Sequence, residues 1–270
     1  MALKNLMVHL DQGERSQVRL ELAVALAKKH QARLVGVFGQ RAEAQQVGIV
    51  ANWPSPEYLA AASQTRALFE KFSAGLAQVE WHDINRGSDH ELLRQITDFA
   101  RYFDLVIMGQ HDEAKDDRVP ADLPEEVIVN SGRPVLMVPY AGNFNADFQR
   151  PLIAWNKSRE AAHALNDALP LIEGCTGATV VSLDTQHEHA QACCAELSSH
   201  FACHGVKIRT DILVVDDIGI MDMLLNRVTD RDADLLVMGA HGQIGFPFVS
   251  RGAGTRYILR HMTVPVLLSN

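Results

Sequence analysis

An internal repeat constrains this 270-residue sequence more than any other feature. Three pairs of segments match: DLVIMG at Asp104–Gly109 with DLLVMG at Asp234–Gly239, RPVLMV at Arg133–Val138 with VPVLLS at Val264–Ser269, and LMVH at Leu6–His9 with LIAW at Leu152–Trp155. The pairs keep their order, so the chain is predicted to contain two copies of one domain. The offset is larger at the start than at the end, which predicts about 16 extra residues in the first copy, in an inserted loop near Arg41–Ala61.

Each copy alternates short apolar strands with helices rich in Ala and Leu. This alternation indicates parallel strands joined by right-handed crossovers, and continuously apolar strands such as Leu105–Met108 and Leu235–Met238 are typical of a sheet buried on both faces. The predicted fold is α/β: two doubly wound Rossmann-like domains, each a mainly parallel five-stranded sheet flanked by helices, at residues 1–142 and 149–270. The short final strands of the copies are expected to pair with each other.

Composition narrows the function classes. Hydrophobic residues make up 47% of the chain, enough for packed cores, and no apolar run reaches the roughly 20 residues of a membrane span. A net charge of -8 without a basic cluster argues against nucleic-acid binding. The N-terminus lacks the pattern of a signal peptide, so we expect a cytoplasmic protein with no membrane partner. Its cysteines are then expected to be reduced.

The loop after the fourth strand of the second copy is rich in glycine. Five glycines fall within 16 residues, starting at Gly239 and ending at Gly254, ahead of a helix predicted from Tyr257. Glycines let backbone N–H groups approach phosphate oxygens, and a helix start adds the positive end of its dipole. Thr255 is expected to cap the helix or to bind a phosphate oxygen. Arg251 and Arg256 are candidates for added positive charge.

At this loop the sequence resembles the universal stress protein family, whose ATP-binding members carry G-x2-G-x9-G-(S/T). Gly239, Gly242 and Gly252 have that spacing, but Ala253 stands where the family has Ser or Thr, and Thr255 is a candidate substitute. The element order extends the resemblance over nearly the whole chain, twice.

The resemblance also implies a ligand and further contacts. It implies ATP or another adenine nucleotide, with or without Mg²⁺. The family places an Asp near the end of strand one against the adenine, and here Asn156 takes that place, with an amide able to donate and accept. Met238, before the first glycine, is expected near the ribose. The predicted nucleotide-binding set is Asn156, Met238, Gly239, Gly242, Gly252, Ala253, Gly254 and Thr255.

The first copy lacks this loop. No glycine follows Gly109 until Gly132, and Asp122, Glu125 and Glu126 lie at the start of the next helix, where they would repel phosphates. We therefore predict no nucleotide binding of this kind in the first copy. Asp11, the counterpart of Asn156, is then expected to be an ordinary surface or capping residue.

A group of His and Cys residues in the second copy suggests a metal site as an alternative. His189, Cys193, His200 and His204 lie at spacings of 4, 7 and 4, roughly one stripe of a helix. A single helix cannot easily surround a metal, and cysteines on such helices are usually small core residues. We predict no metal site there.

These observations favour a stress-response regulatory protein that binds an adenine nucleotide in its C-terminal domain. The alternative is an interaction module of the same fold that binds no nucleotide, with or without metal at the His/Cys helix. Dehydrogenase and P-loop motifs are absent. Because the sequence shows no well-placed general base and no acidic Mg²⁺ site, we expect no enzyme activity beyond, at most, slow ATP hydrolysis. An unidentified protein partner and a homodimer are both compatible with this interpretation.

Overall fold

The computed structural model describes residues 3–42, 45–47, 50–52, 54–84, 88–112, 118–184, 187–214, 219–242 and 252–270. The chain divides into two compact units, Ala2–Arg133 and Pro134–Asn270. The predicted α/β class is confirmed, since each unit has a mostly parallel sheet with helices between its strands. The domain bounds 1–142 and 149–270 remain a prediction.

The first unit follows the predicted alternation of strand and helix. Its elements are β1 (Asn5–Leu10), α1 (Arg15–His30), β2 (Arg33–Phe38), β3 (Gln45–Val47), β4 (Val50–Asn52), α2 (Pro56–Ser73), β5 (Val79–Asp83), α3 (Asp89–Ala100), β6 (Leu105–Gly109) and α4 (Leu123–Asn130).

The second unit repeats the pattern. Its elements are β7 (Val135–Val138), β8 (Pro151–Trp155), α5 (Arg159–Ile172), β9 (Ala178–Asp184), α6 (His187–Cys203), β10 (Ile208–Val214), α7 (Ile220–Asp230), β11 (Leu235–Gly239), α8 (Ala253–His261) and β12 (Val266–Ser269).

Within each unit, the four equivalent strands follow the same order. Within the first unit the order is β6-β1-β2-β5, all parallel. In the second unit β10-β9-β8-β11-β12 are parallel, and β7 adds antiparallel to β12, with Leu136 opposite Leu267. The final strands thus pair as expected. The first unit has four main-sheet strands rather than five among its described residues, because β7 belongs to the second unit.

Strand register refines the repeat. Leu6 of β1 lies opposite Leu105, and Pro151 of β8 lies opposite Leu235. Because Leu105 and Leu235 are equivalent in the repeat, Leu6 corresponds to Pro151. The sequence alignment of Leu6–His9 with Leu152–Trp155 is therefore wrong by one residue. The corrected register makes positions 11 and 156, at the two strand ends, equivalent.

The extra residues of the first copy form less of a loop than expected. β3 and β4 make an antiparallel hairpin, and α2 already begins at Pro56. Ser55 caps α2 by accepting a hydrogen bond from the backbone N–H of Tyr58 at 3.2 Å, and Pro suits the first turn because its missing N–H would have no partner there.

Among the helices of the described part of the chain, none is long and apolar enough to span a membrane.

Candidate functional site

The end of β11 lies directly against the start of α5. A Cβ built on Gly239 would be 2.5 Å from the backbone nitrogen of Ala161, a contact that no real side chain makes. Since the obstacle is backbone, only glycine fits this position. The first motif glycine thus lets the carboxyl end of β11 lie against α5, the helix that follows β8. Open parallel sheets bind ligands at this edge, beyond the carboxyl ends of their strands.

The two ends of the glycine-rich loop meet at α8. The backbone N–H of His241 donates to Thr255 Oγ1 at 3.0 Å. Gly252 has φ +83°, a conformation that favours glycine, and a Cβ there would overlap the imidazole of His241. Both predicted motif ends therefore come together. Residues 243–251 between them, including Arg251, lie outside the described residues.

The start of α8 differs from the prediction. The helix begins at Ala253, four residues before Tyr257, so Gly252 takes the N-cap position and Gly254 and Thr255 belong to the first turn. Thr255 is therefore not the cap. Its side chain is buried, with the residue 3% exposed, and its hydroxyl holds the loop. The N–H groups of the first turn of any helix lack partners within the helix, which leaves those of Ala253 and Gly254 for a ligand.

Asn156 follows β8 and shapes the turn into α5. Its Oδ1 accepts hydrogen bonds from the backbone N–H of Ser158 at 3.2 Å and from Ser158 Oγ at 2.6 Å. Ser158 Oγ in turn accepts from the N–H of Ala161 and caps the helix. No residue within the described ranges accepts a hydrogen bond from Asn156 Nδ2. Because a backbone N–H fixes which end is oxygen, Nδ2 is the end available to a ligand.

Met238 occupies a core position. It lies in β11 and is buried at 6% exposure. Its proximity to a ribose stays a prediction.

Sequence reasoning missed Glu160. Its side chain is only 9% exposed, and its nearest positive partner is the well-exposed Arg159, at 3.2 Å. Glu160 Oε2 lies 3.2 Å from the position of a Cβ on Gly242, at the second motif glycine. The spacing Asn156-x3-Glu160 was the available signal, because residue 160 falls in the first turn of the helix after strand one.

The equivalent place in the first unit is filled by an ion pair. Arg19 Nη2 lies 2.5 Å from Asp11 Oδ2, and both side chains are largely buried. A Cβ on Gly109 would collide with the guanidinium of Arg19. The cavity they line has a volume of about 20 Å³, room for one water molecule and not for a nucleotide.

Asp11 is therefore not a surface residue, contrary to expectation. It does stabilise the turn before α1, because its Oδ1 accepts hydrogen bonds from the N–H of Gly13 at 2.6 Å and from Ser16 Oγ at 3.2 Å. Burial raises the pKa of Asp11, but the charges of Arg19 and His9 and the hydrogen bonds from Arg19 and from the Gly13 N–H outweigh burial, so its pKa lies below the usual value.

The predicted acidic residues do stand at the start of α4. Asp122 takes the N-cap position, and Glu125 and Glu126 lie in the first turn.

The His/Cys stripe forms no metal cluster among the described residues. Cys193 and His200 are half-buried on α6, and the ring of His200 lies 4.9 Å from that of His204. The side chain of His189 lies outside the described part.

Comparisons with known proteins address the resemblance. Residues 184–270 match the universal stress protein family. The whole chain is similar to the crystal structure of a universal stress protein from Archaeoglobus fulgidus DSM 4304, with TM-score 0.74 and 17% identity, covering 98% of this chain and 96% of that one. It is also similar to a putative universal stress protein from Pseudomonas aeruginosa UCBPP-PA14, with TM-score 0.62 and 16% identity, covering 99% and 93%.

A partial match is a universal stress protein from Archaeoglobus fulgidus in complex with dAMP, with TM-score 0.36 and 18% identity, covering 51% of this chain and 98% of that one. A search of the curated proteins found no match. The resemblance inferred from the sequence is confirmed by the family match of residues 184–270, and the whole chain shares the fold of a universal stress protein structure.

Proposed function

Because residues 184–270 match the universal stress protein family, we propose that the chain is a stress-response protein that binds an adenine nucleotide in its second copy. One observation supports this most strongly. The hydrogen bond from His241 to Thr255, together with the left-handed Gly252, brings both ends of the motif loop to the first turn of α8. The second copy thereby offers N–H groups that have no partner within the helix, at the positive end of its dipole.

The phosphates are assigned to this helix start. The N–H groups of Ala253 and Gly254 supply donors, and the dipole of α8 favours an anion there. Ala253 has no hydroxyl, and that of Thr255 already accepts from His241. We therefore expect the phosphates to be held mainly by backbone groups, with lower affinity than a Ser or Thr at position 253 would provide.

The adenine is assigned to the end of β8. Asn156 Nδ2 can donate to a ring nitrogen of adenine, while its Oδ1 keeps the turn into α5 in place. This arrangement separates recognition of the base from that of the phosphates, at the edge where ligands of parallel sheets bind.

Glu160 bears on the choice of ligand. A phosphate oxygen about 4 Å from its carboxylate would be repelled by about 4 kcal/mol at an effective dielectric near 20. Carboxylate oxygen is a preferred Mg²⁺ ligand, so Glu160 fits a magnesium ion that accompanies the phosphates. We expect the dependence on Mg²⁺ to be stronger for ATP than for AMP, which carries less charge.

The first copy is not expected to bind a nucleotide in this way. Arg19 and Asp11 occupy the equivalent space, and the glycines of the loop are absent.

The deciding experiment is mass spectrometry of small molecules released from the purified protein, followed by calorimetric titration with ATP, AMP and dAMP, each with and without Mg²⁺. Gly252→Asp should weaken binding at least tenfold, because it adds a carboxylate and a side chain at the N-cap. Gly132→Asp is the matched control: Gly132 also has positive φ, +68°, but no atom lies within 4 Å of its built Cβ.

Two results would count against the proposal. Equal affinity of Gly252→Asp and the unchanged protein would show that the phosphates lie elsewhere. Absence of any nucleotide binding would favour the alternative, an interaction module of the same fold, which Ala253 supports because the motif hydroxyl is missing there.

A further inference from the structure

A second cavity lies within the second unit, between α5 and α6. Its volume is about 320 Å³, in the range of small-molecule sites. Ala162 and Leu165 of α5 line one side, Leu197 of α6 the other, and Trp155 at the end of β8 lines it as well. The lining is mainly apolar, so the cavity suits a ligand with an apolar or aromatic body.

Two lining side chains, those of Glu196 and Asn166, offer acceptor oxygens to the cavity. Glu196 contributes an exposed carboxylate. Asn166 donates one N–H of its Nδ2 to the carbonyl of Ala162 at 2.9 Å, and its Oδ1 can accept a hydrogen bond. Glu196 is the one charged residue among those lining the cavity, and no ion pair joins it to another described residue.

A buried nitrogen atom of a lining residue lacks a partner. His200 Nε2 is buried without a hydrogen bond inside the described ranges. Buried polar atoms of this kind are uncommon and indicate a missing partner. A neutral imidazole has one acceptor nitrogen, so His200, which lines the cavity, is a candidate for a further acceptor.

We propose that this cavity binds a small primary amine with an apolar or aromatic body. An ammonium group is a cation with three donors, which matches the acceptors of Glu196, Asn166 and His200. The indole of Trp155 can attract the same cation through its ring face. An anion finds no positive side chain among the lining residues, so the site is distinct from the proposed phosphate site at α8.

The test compares two probes of similar size and opposite charge, 2-phenylethylamine and phenylacetate, by calorimetry on the full chain. We expect saturable binding of the amine in the millimolar range or tighter, and about tenfold weaker binding of the carboxylate, because attraction to Glu196 becomes repulsion. Glu196→Gln should weaken binding of the amine about threefold, which is the size typical of exposed ion pairs. It should also reduce the difference in affinity between the amine and phenylacetate.

A filled cavity provides the second arm. Ala162→Phe should weaken binding of the amine at least tenfold. Cys193→Phe, on the opposite helix, should have the same effect and replaces Ala162→Phe if that variant is unstable. Ala195→Phe places the same side chain on an exposed position of α6 that does not line the cavity, and should leave binding unchanged. The proposal is overturned if the amine does not bind, if phenylacetate binds as tightly, or if the filling variants retain full affinity. Because the nucleotide is not involved, these outcomes are independent of the ATP titration.

Discussion

Replacing Arg19 by Met removes the positive partner of a buried ion pair. The side chains of Arg19 and Asp11 are only 5% and 12% exposed. Methionine fills part of the arginine volume but leaves the Asp11 carboxylate buried without its counter-ion. Breaking a buried pair in this way typically costs about 3–5 kcal/mol in free energy of unfolding. We expect a loss of that size for the first unit.

The double variant Arg19→Met/Asp11→Leu separates the charge from the packing. With both charges gone, the unpaired-carboxylate penalty disappears. The N–H of Gly13 loses its acceptor, but Gly13 is exposed, so this loss costs about 0.5–1.5 kcal/mol. The double variant should therefore be more stable than Arg19→Met alone, even though it carries one more substitution.

Urea unfolding measures these differences. In a Trp155→Phe background the tryptophan emission comes from Trp53 and Trp81, both in the first unit. With a slope of about 1–3 kcal/mol per M, a loss of 3–5 kcal/mol lowers the midpoint by about 2 M. Arg66→Met is the control: Arg66 and its partner Glu70 are each 59% exposed, so the change should stay within about 1 kcal/mol.

The reasoning fails if Arg19→Met costs less than about 1 kcal/mol, no more than an exposed pair. It also fails if the double variant is less stable than the single one. Either result would mean that water or another group neutralises Asp11 and that the pair does not control the packing beside Gly109.

Three further predictions concern single positions. Thr255→Val removes the acceptor of the His241 N–H and should cost about 1–3 kcal/mol and weaken ATP binding, whereas Thr255→Ser should restore both, as measured by thermal unfolding and calorimetry. Gly239→Ala should destabilise the second unit by about 1–3 kcal/mol, because its Cβ meets the rigid backbone at Ala161; hydrogen exchange of α5 amides should rise, and unchanged exchange would contradict the contact. The folded pKa of Asp11 lies below its unfolded value of about 3.9, so its stabilisation is complete above about pH 4 and is lost as the pH falls through the folded pKa. The advantage over Asp11→Asn should therefore shrink below about pH 4 in urea unfolding series, and a constant difference down to pH 3 would be inconsistent with the lowered pKa.

Local pattern was sufficient for most of the element order. α1 and β2 begin and end where the apolar periodicity and the flanking residues place them. The start of α8 was missed by four residues because Gly254 weakens helix propensity, while in the fold Gly252 takes the N-cap and Thr255 is held by the loop.

The candidate site was predicted in part. The glycine spacing could be read directly from the sequence, and it identified Gly239 and Gly252. In the structure both lie where a side chain would not fit. Glu160 was missed because a Glu near a helix start usually marks only a favourable dipole interaction. Its burial beside Gly242 depends on how closely β11 approaches α5, a distance that no local pattern encodes.

By itself the sequence determined the α/β class, and it predicted a repeated domain with a phosphate-type loop in the second copy only, because repeats, apolar runs and glycine spacing are local properties. Only the tertiary structure decided that Arg19 and Asp11 fill the equivalent place in the first unit. It also decided that Asn156 uses its Oδ1 in the turn before α5, which leaves its Nδ2 for a ligand. The cavity between α5 and α6 beside Trp155 is likewise a result of the tertiary structure. The physical reason is that burial, ion pairing and cavity shape arise between residues far apart in sequence, when packing brings strands and helices together.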